Sequence, residues 1–354
     1  MARVKISGAE YPLRKVFSND FVFSIPRYQR PYSWTGVQAG ELLDDLLTSV
    51  SGSTAPVGDL DPYFLGSVVL IKDETLPDAE VVDGQQRLTT LTILLAALTH
   101  LTAGPDEKSS LRGYLFEKGN AIEEIPDRPR LTLRPRDREF FAKYVQSEGA
   151  FPDLLGLDAG GMSDPRRNVK NNAALFVGKL ATASQDQLKR LSQFILMNCY
   201  LVAVATPDLD SAYRIFSVLN ERGLDLSHAD ILKAEIIGKL REEEQDSYTT
   251  RWEDAEDGLG RGGFGDLFSH VRMIYAKRKM REGVLREFRS IVEEQIPDSR
   301  KLIDDVVVPR RRISVGSQRR VRDGGRCSQH QSVTSLARNH RQRRLGSTRD
   351  ENSR

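Results

Sequence analysis

Residues 81–91 read VVDGQQRLTTL, and this stretch decides how the first part of the chain is built. Val81 and Val82 suit a short strand that delivers Asp83 and Gly84 to its C-terminal end, and a helix begins within two residues. Gly84 permits a tight turn and a close approach of backbone to ligand. The next amides stand at a helix N-terminus, where N–H donors without helical partners carry a partial positive charge suited to phosphate oxygens. Gln85 and Gln86 add neutral amide donors, Thr89 and Thr90 add hydroxyls, and Arg87 can meet a phosphate in a bidentate fork. Asp83 is the carboxylate that would hold a hydrated Mg2+ or orient a water beside phosphates. A structural reading accounts for the same letters: Asp83 caps the helix and Arg87 joins a surface ion pair. Spacing alone does not separate the two. The pattern GxxxxGK[ST] is found nowhere in the chain, so a phosphate site here would not be a Walker A loop.

Outward from this turn, residues 63–72 (YFLGSVVLIK) predict a buried strand, 73–78 a turn and 80–82 a second short strand. Leu88, Leu91, Leu94, Leu95 and Leu98 predict an apolar helical stripe over 86–101. Upstream, residues 23–34 (FSIPRYQRPYSW) are extended, because Pro26 and Pro31 bias Ile25 and Arg30 away from helix. Arg27, Gln29 and Arg30 alternate there with Tyr28, Tyr32 and Trp34, a composition that can stack on a base while guanidinium groups meet phosphate. The alternative is that the rings are core and the polar groups solvated. A helix is expected over 37–50 and a loop over 51–62.

Downstream the pattern turns helical. Residues 130–134 read as a strand, 137–145 as a helix, and 151–167 as a loop with several Gly and Pro. Helices are expected over 169–183 and 185–196, a strand over 200–206, then helices over 209–219, 227–244, 264–280 and 286–295. In residues 212–233, AYRIFSVLNERGLDLSHADILK, Gly223 ends one helix and Ser227 caps the next. Most of that segment is structural, but Asn220, Arg222, Asp230 and Lys233 are placed to present side chains at the inter-helix turn. The expected class is α+β, with an α/β core over 1–105, a mainly helical region over 106–305 and an Arg-rich tail over 306–354.

Four segments, IPRYQRPYSW, YFLGSVVL, VVDGQQRLTTL and FSVLNERGLDLSHADILK, together resemble the N-terminal domain of GmrSD-type, modification-dependent restriction enzymes, in order and approximate spacing over about residues 10–300. The resemblance implies a ParB/sulfiredoxin-like core and nucleoside-triphosphate binding and hydrolysis, with Mg2+, coupled to restriction of modified double-stranded DNA. Asp83, Gly84, Gln85, Gln86 and Arg87 match the family's DGQQR, and Tyr28, Gln29 and Arg30 match its YQR. Asn220, Arg222, Gly223, Asp230 and Lys233 match the later N-x-R-G…D…K pattern. Carried over, Asp83, Gln86 and Arg87 take the catalytic roles. Tyr28, Gln29, Arg30, Gly84, Gln85, Thr89, Thr90, Asn220, Arg222, Asp230 and Lys233 take nucleotide contacts.

Family members commonly continue into a His-rich HNH nuclease. Here His330 and His340 sit in the tail without acidic partners, so no DNA-cutting centre is expected; a separate nuclease subunit would supply it, or the product is a truncated remnant. Oligomerisation is compatible with the sequence.

Composition excludes more than it selects. The chain is 39% apolar and 29% charged, with no apolar run of membrane length and no export signal, so the cytoplasm is the expected location. Cys199 and Cys327 form neither a disulfide framework nor a zinc site. The net charge of +2 divides unevenly, because residues 309–354 hold 13 Arg, no Lys and 3 acidic residues. Such a tail reads either as a nucleic-acid arm or as out-of-frame translation, and in both cases as disordered. The competing function is a non-catalytic, ParB-like DNA-binding module. Nicking by the core itself is disfavoured, since no two-carboxylate metal cluster is evident.

Overall fold

The structure, a computed structural model, describes residues 6–122, 124–208, 211, 212, 215 and 228–307, with backbone alone at 242, 257, 261, 262 and 306. The chain divides into two compact units, residues 1–225 and 226–354.

The first unit is α+β. Its elements begin with β1 (Ser7–Pro12), α1 (Leu13–Val16), β2 (Val22–Ser24), α2 (Gly36–Val50), β3 (Tyr63–Lys72), β4 (Asp78–Asp83) and α3 (Gln85–Leu101). They continue with α4 (Pro105–Arg112), β5 (Phe116–Glu117), β6 (Arg128–Pro129), β7 (Leu131–Thr132), α5 (Pro135–Phe141), α6 (Phe151–Gly156), α7 (Asp164–Leu180), α8 (Gln185–Asn198) and β8 (Cys199–Thr206). A six-stranded mixed sheet runs β1-β8-β3-β4-β2-β7. β4 returns antiparallel beside β3, whereas β8 joins β3 in parallel.

That last pairing changes the expected organisation. The sheet is not completed within the first hundred residues, because β8, formed by Cys199–Thr206, inserts between β1 and β3. The consequence is visible in α3. A single apolar stripe was expected, yet the helix is buried from Gln85 to Leu98 except for half-covered Arg87. Leu88, Leu91 and Leu95 are fully enclosed, and so are Thr90, Ile93 and Ala97 on other faces. Contacts with α7, α4, α8 and α6 enclose it, so residues far along the chain build most of its surroundings.

Other expectations need correction. The stretch 151–167 is not a loop, since it contains α6 and the start of α7. Pro152 and Pro165 occupy the first helical turns, where a missing N–H costs nothing, so the residues that suggested breaks are helix starters. The 130–134 strand is paired only at β7, and β1 was not anticipated. The 137–145 helix is α5 followed by a π-helical turn, Ala142–Gln146. The 209–219 helix falls largely outside the described residues, as do the Ser227 cap and the tail.

The second unit contains α9 (His228–Gly238), α10 (Glu242–Ala276, kinked at Gly260), α11 (Val284–Glu287), which continues as a π-helical turn Phe288–Glu293, and α12 (Ser299–Leu302). The 227–244 helix is therefore two helices, and 264–280 is the end of a longer one. Trp252 stacks on Phe268, with centroids 5.5 Å apart, and Phe264 and Phe288 close edge-on around Phe268. No helix among the described residues is long and apolar enough to cross a membrane.

Candidate functional site

The turn between β4 and α3 is built by a glycine that cannot be replaced cheaply. Gly84 has φ +95° and ψ 3°, the left-handed region, and it serves as the N-cap of α3. A Cβ there would lie 2.5 Å from Cγ1 of Val68 on β3. A glycine N-cap offers no side-chain acceptor, so no side chain caps the first turn of α3, and its first helical bond is Leu88 N–H to Gly84 O.

Arg87 occupies the next position of interest. Its guanidinium lies flat against the backbone of β3 at Gly66, where a Cβ would come within 3.1 Å of Cζ and both terminal nitrogens. Gly66 itself has φ +96° and sits where the β3–β8 register shifts. Nη1 donates to Ser67 O at 3.0 Å, which uses one of five donors. Burial pulls the guanidinium below its usual range, while the Asp83 carboxylate and then the Tyr63 hydroxyl oppose that shift. Tyr63 in turn donates to Asp45 Oδ2 at 2.9 Å, and burial, followed by Asp45, pushes it up to about 12.

The 27–34 arm is strapped onto this turn by glutamines. Gln29 Nε2 donates to Val82 O at 2.7 Å, and Gln85 Nε2 donates to Arg30 O at 2.7 Å. Gln86 Oε1 accepts from the amides of Ser33 and Trp34, and its Nε2 donates to Pro31 O. Tyr28 donates to Glu80 Oε1 at 3.0 Å. Deeper, the Thr90 hydroxyl donates to Gln86 O, which leaves the Tyr32 hydroxyl to donate to Thr90. Asn172 on α7 completes the buckle, donating from Nδ2 to Tyr32 Oη at 2.7 Å and Trp34 O at 2.9 Å. Burial pushes the Tyr32 phenol up to about 12.

These contacts revise several expected roles. Gln86, assigned a catalytic role, has its amide engaged within the protein, and Gln29 and Gln85 are fasteners of the same kind. Thr89 and Thr90 are enclosed, at 2% and 0% exposure. Tyr32 is core rather than a stacking face. Asp83, Gly84 and Arg87 stand at the turn itself, Arg30 is joined to it through its carbonyl, and Tyr28 is bonded farther back, to Glu80 within β4.

Asn220, Arg222 and Gly223 lie outside the described residues. Asp230 and Lys233 belong to α9 of the second unit, where Lys233 is 2% exposed and pairs with Glu253 at 3.0 Å. Reasoning from sequence missed Tyr63, Asp45, Gly66 and Asn172. A glycine inside the strand-like YFLGSVVL was the available signal for a close approach; nothing marked Asn172.

Two cavities of this unit lie elsewhere. One, about 620 Å³, is lined by Arg14, Glu107, Tyr114 and Lys189 near the far end of α3. The other, about 460 Å³, lies beside β1 and Lys72. The β4–α3 turn lines neither of them. Among the described residues no three His, Cys, Asp or Glu gather as a metal cluster.

A mixed sheet carrying an Asp-Gly turn into a buried helix, with an arginine laid against a neighbouring strand, defines an α+β domain. The family model for the N-terminal domain of the GmrSD restriction endonuclease matches residues 13–237, from α1 into α9. The chain belongs to this family, which assigns it a role in a restriction system. No curated protein matches it.

Proposed function

We propose that this chain is the nucleoside-triphosphate-binding and hydrolysing sensor of a GmrSD-like restriction system acting on modified double-stranded DNA, on a ParB/sulfiredoxin-like core, in the cytoplasm, with the nuclease supplied by a partner subunit. The observation that carries the reading is the Gly84 turn into α3, which sets Asp83 and Arg87 four residues apart at the helix start, with the Asp83 charge opposing the desolvation of the guanidinium. Arg87 is half-covered, keeps donors beyond the one spent on Ser67, and stands one turn into a helix without a side-chain cap. It binds phosphate oxygens, and the first amides of α3 face the same charge.

A Mg2+ bound with the nucleotide fits this donor set. A single carboxylate, Asp83, suits an ion whose remaining ligands are water and phosphate oxygens. Asp83 would hold it, and the ion would supply charge neutralisation on the triphosphate. Asp83 also orients the attacking water, and the strapped arm holds Arg30 at the edge of the turn and Tyr28 against β4.

Asp83→Asn and Arg87→Ala are each expected to lower Mg2+-dependent phosphate release by about 100-fold or more, with unchanged circular dichroism. Wild-type turnover in both variants rejects the enzymatic reading. The non-catalytic DNA-binding alternative is favoured by one observation, the consumption of the Gln85 and Gln86 amides inside the protein, and predicts duplex binding with no phosphate release from wild type.

A further inference from the structure

The second unit carries a loop that the nucleotide reading does not use, outside the span matched by the family. α10 ends at Lys277, which adopts the left-handed conformation at φ 51° and donates its N–H to Met273 O. The chain then runs Lys277-Arg278-Lys279-Met280-Arg281, all exposed, before Gly283 leads into α11. Four of five consecutive side chains are cationic. Among the described residues no carboxylate pairs with the side chains of Lys277, Lys279 or Arg281. The neighbouring acid, Glu282, is engaged with Arg286 at 3.1 Å.

A run of exposed cations is commonly only a solvated surface. This one differs because its backbone is held from inside. The Glu287 carboxylate, 1% exposed, accepts from the amides of Arg281 at 2.7 Å and Glu282 at 3.2 Å. It also meets the guanidinium of buried Arg272 and that of Arg278 at 3.3 Å, while Arg272 donates to Arg278 O at 2.9 Å. The amide of Arg281, foremost among these contacts, helps hold the Glu287 carboxyl down at about 2. The loop is thus presented in one shape, and its cations lose less freedom on binding than a mobile loop would.

We infer that the loop 277–281 is a docking surface for the sugar–phosphate backbone of duplex DNA. Five residues span roughly 17 Å at full stretch, enough to meet roughly two or three phosphates on one strand. A polyanion is what the charge selects, and membership of a restriction family selects DNA among polyanions. The inference rests on the DNA part of the proposed function and is independent of nucleotide turnover.

The test uses the full chain with Lys277→Asn, Lys279→Ser and Arg281→Ser combined; Arg278 is kept because it contacts Glu287. Affinity for a short labelled duplex is read by fluorescence anisotropy across a KCl series. The slope of log K against log salt is expected to fall by about 2 to 3, and low-salt affinity by about tenfold or more. The Arg-rich tail is present in both proteins, so the difference isolates the loop. The exchange Lys277→Arg, Lys279→Arg, Arg281→Lys should retain the wild-type slope. Lys279→Glu alone, at a side chain with no internal bond, should lower it by about 1 and covers the case of a misfolded triple variant. An unchanged slope overturns the inference, as does wild type that binds phosphatidylserine vesicles but not the duplex. Phosphate release without DNA should be equal in wild type and the loop variants. Its absence in wild type would remove the hydrolase reading and leave this one standing.

Discussion

Each unit sets an arginine within the field of a carboxylate, in contact in the second unit and without a direct ion pair between the two in the first. In the second unit Glu287 and Arg272 are 1% and 5% exposed in their side chains, and backbone amides complete the carboxylate's coordination. In the first, Asp83 and Arg87 are both half-covered, and the guanidinium spends one donor on the backbone. A closed pair holds the backbone that surrounds it. An arginine with donors to spare can take up a ligand. The contrast separates a structural ion pair from a candidate site more sharply than residue type does, since both contain one acid and one arginine.

The largest effect expected from breaking this contrast is at the closed pair. Glu287→Ala should leave Arg272 buried without its counter-charge and lower Tm by roughly 10 °C. Asp83→Asn should shift Tm by no more than about 2 °C, because water reaches that carboxylate. Equal losses would erase the distinction. The sign with pH follows from the depressed Glu287 carboxyl. Its contribution is complete above the ordinary value of 4.5 and is lost as pH falls towards about 2. Circular dichroism of wild type should therefore lose stability across that window, and Glu287→Gln should flatten the loss.

A smaller effect concerns the Gly84 turn. Gly84→Ala places a Cβ against Val68 at a positive φ and should cost about 2 kcal/mol in urea unfolding, together with phosphate release. Adding Val68→Ala should relieve the overlap but not the backbone strain, so recovery should be partial. Full recovery would show that the conformation of Gly84 is immaterial.

The smallest effect tests the strap that frames that turn. Asn172→Ala removes two hydrogen bonds to the arm and should cost about 1 to 2 kcal/mol. Trp34 is half-covered and Trp252 fully buried, so a red shift in emission would report release of the arm. An unshifted spectrum with unchanged stability would mean that Asn172 does not hold it.

Much of the scaffold was legible because it depends on short-range pattern. VVDGQQR announced a strand, a turn and a helix within seven letters, and YFLGSVVLIK had the length and branching of a buried strand. Pro152 and Pro165 misled because proline ends a helix and starts one with the same chemistry; only a neighbour such as buried Leu154 distinguishes the cases. The glutamines misled for a related reason. An amide that can bind a nucleotide can equally bind a carbonyl fifty residues away, as Gln85 does with Arg30.

Local conformation at the turn was therefore written in the chain itself: a glycine after a carboxylate, a helix behind it and an arginine on the first turn. Which of those polar groups remain available was settled only by tertiary structure. Hydrogen-bond capacity is consumed by whatever packs nearby, and here that is an arm 53 residues upstream and an asparagine on α7. Sequence specifies which donors exist, whereas three-dimensional neighbours determine which are left over.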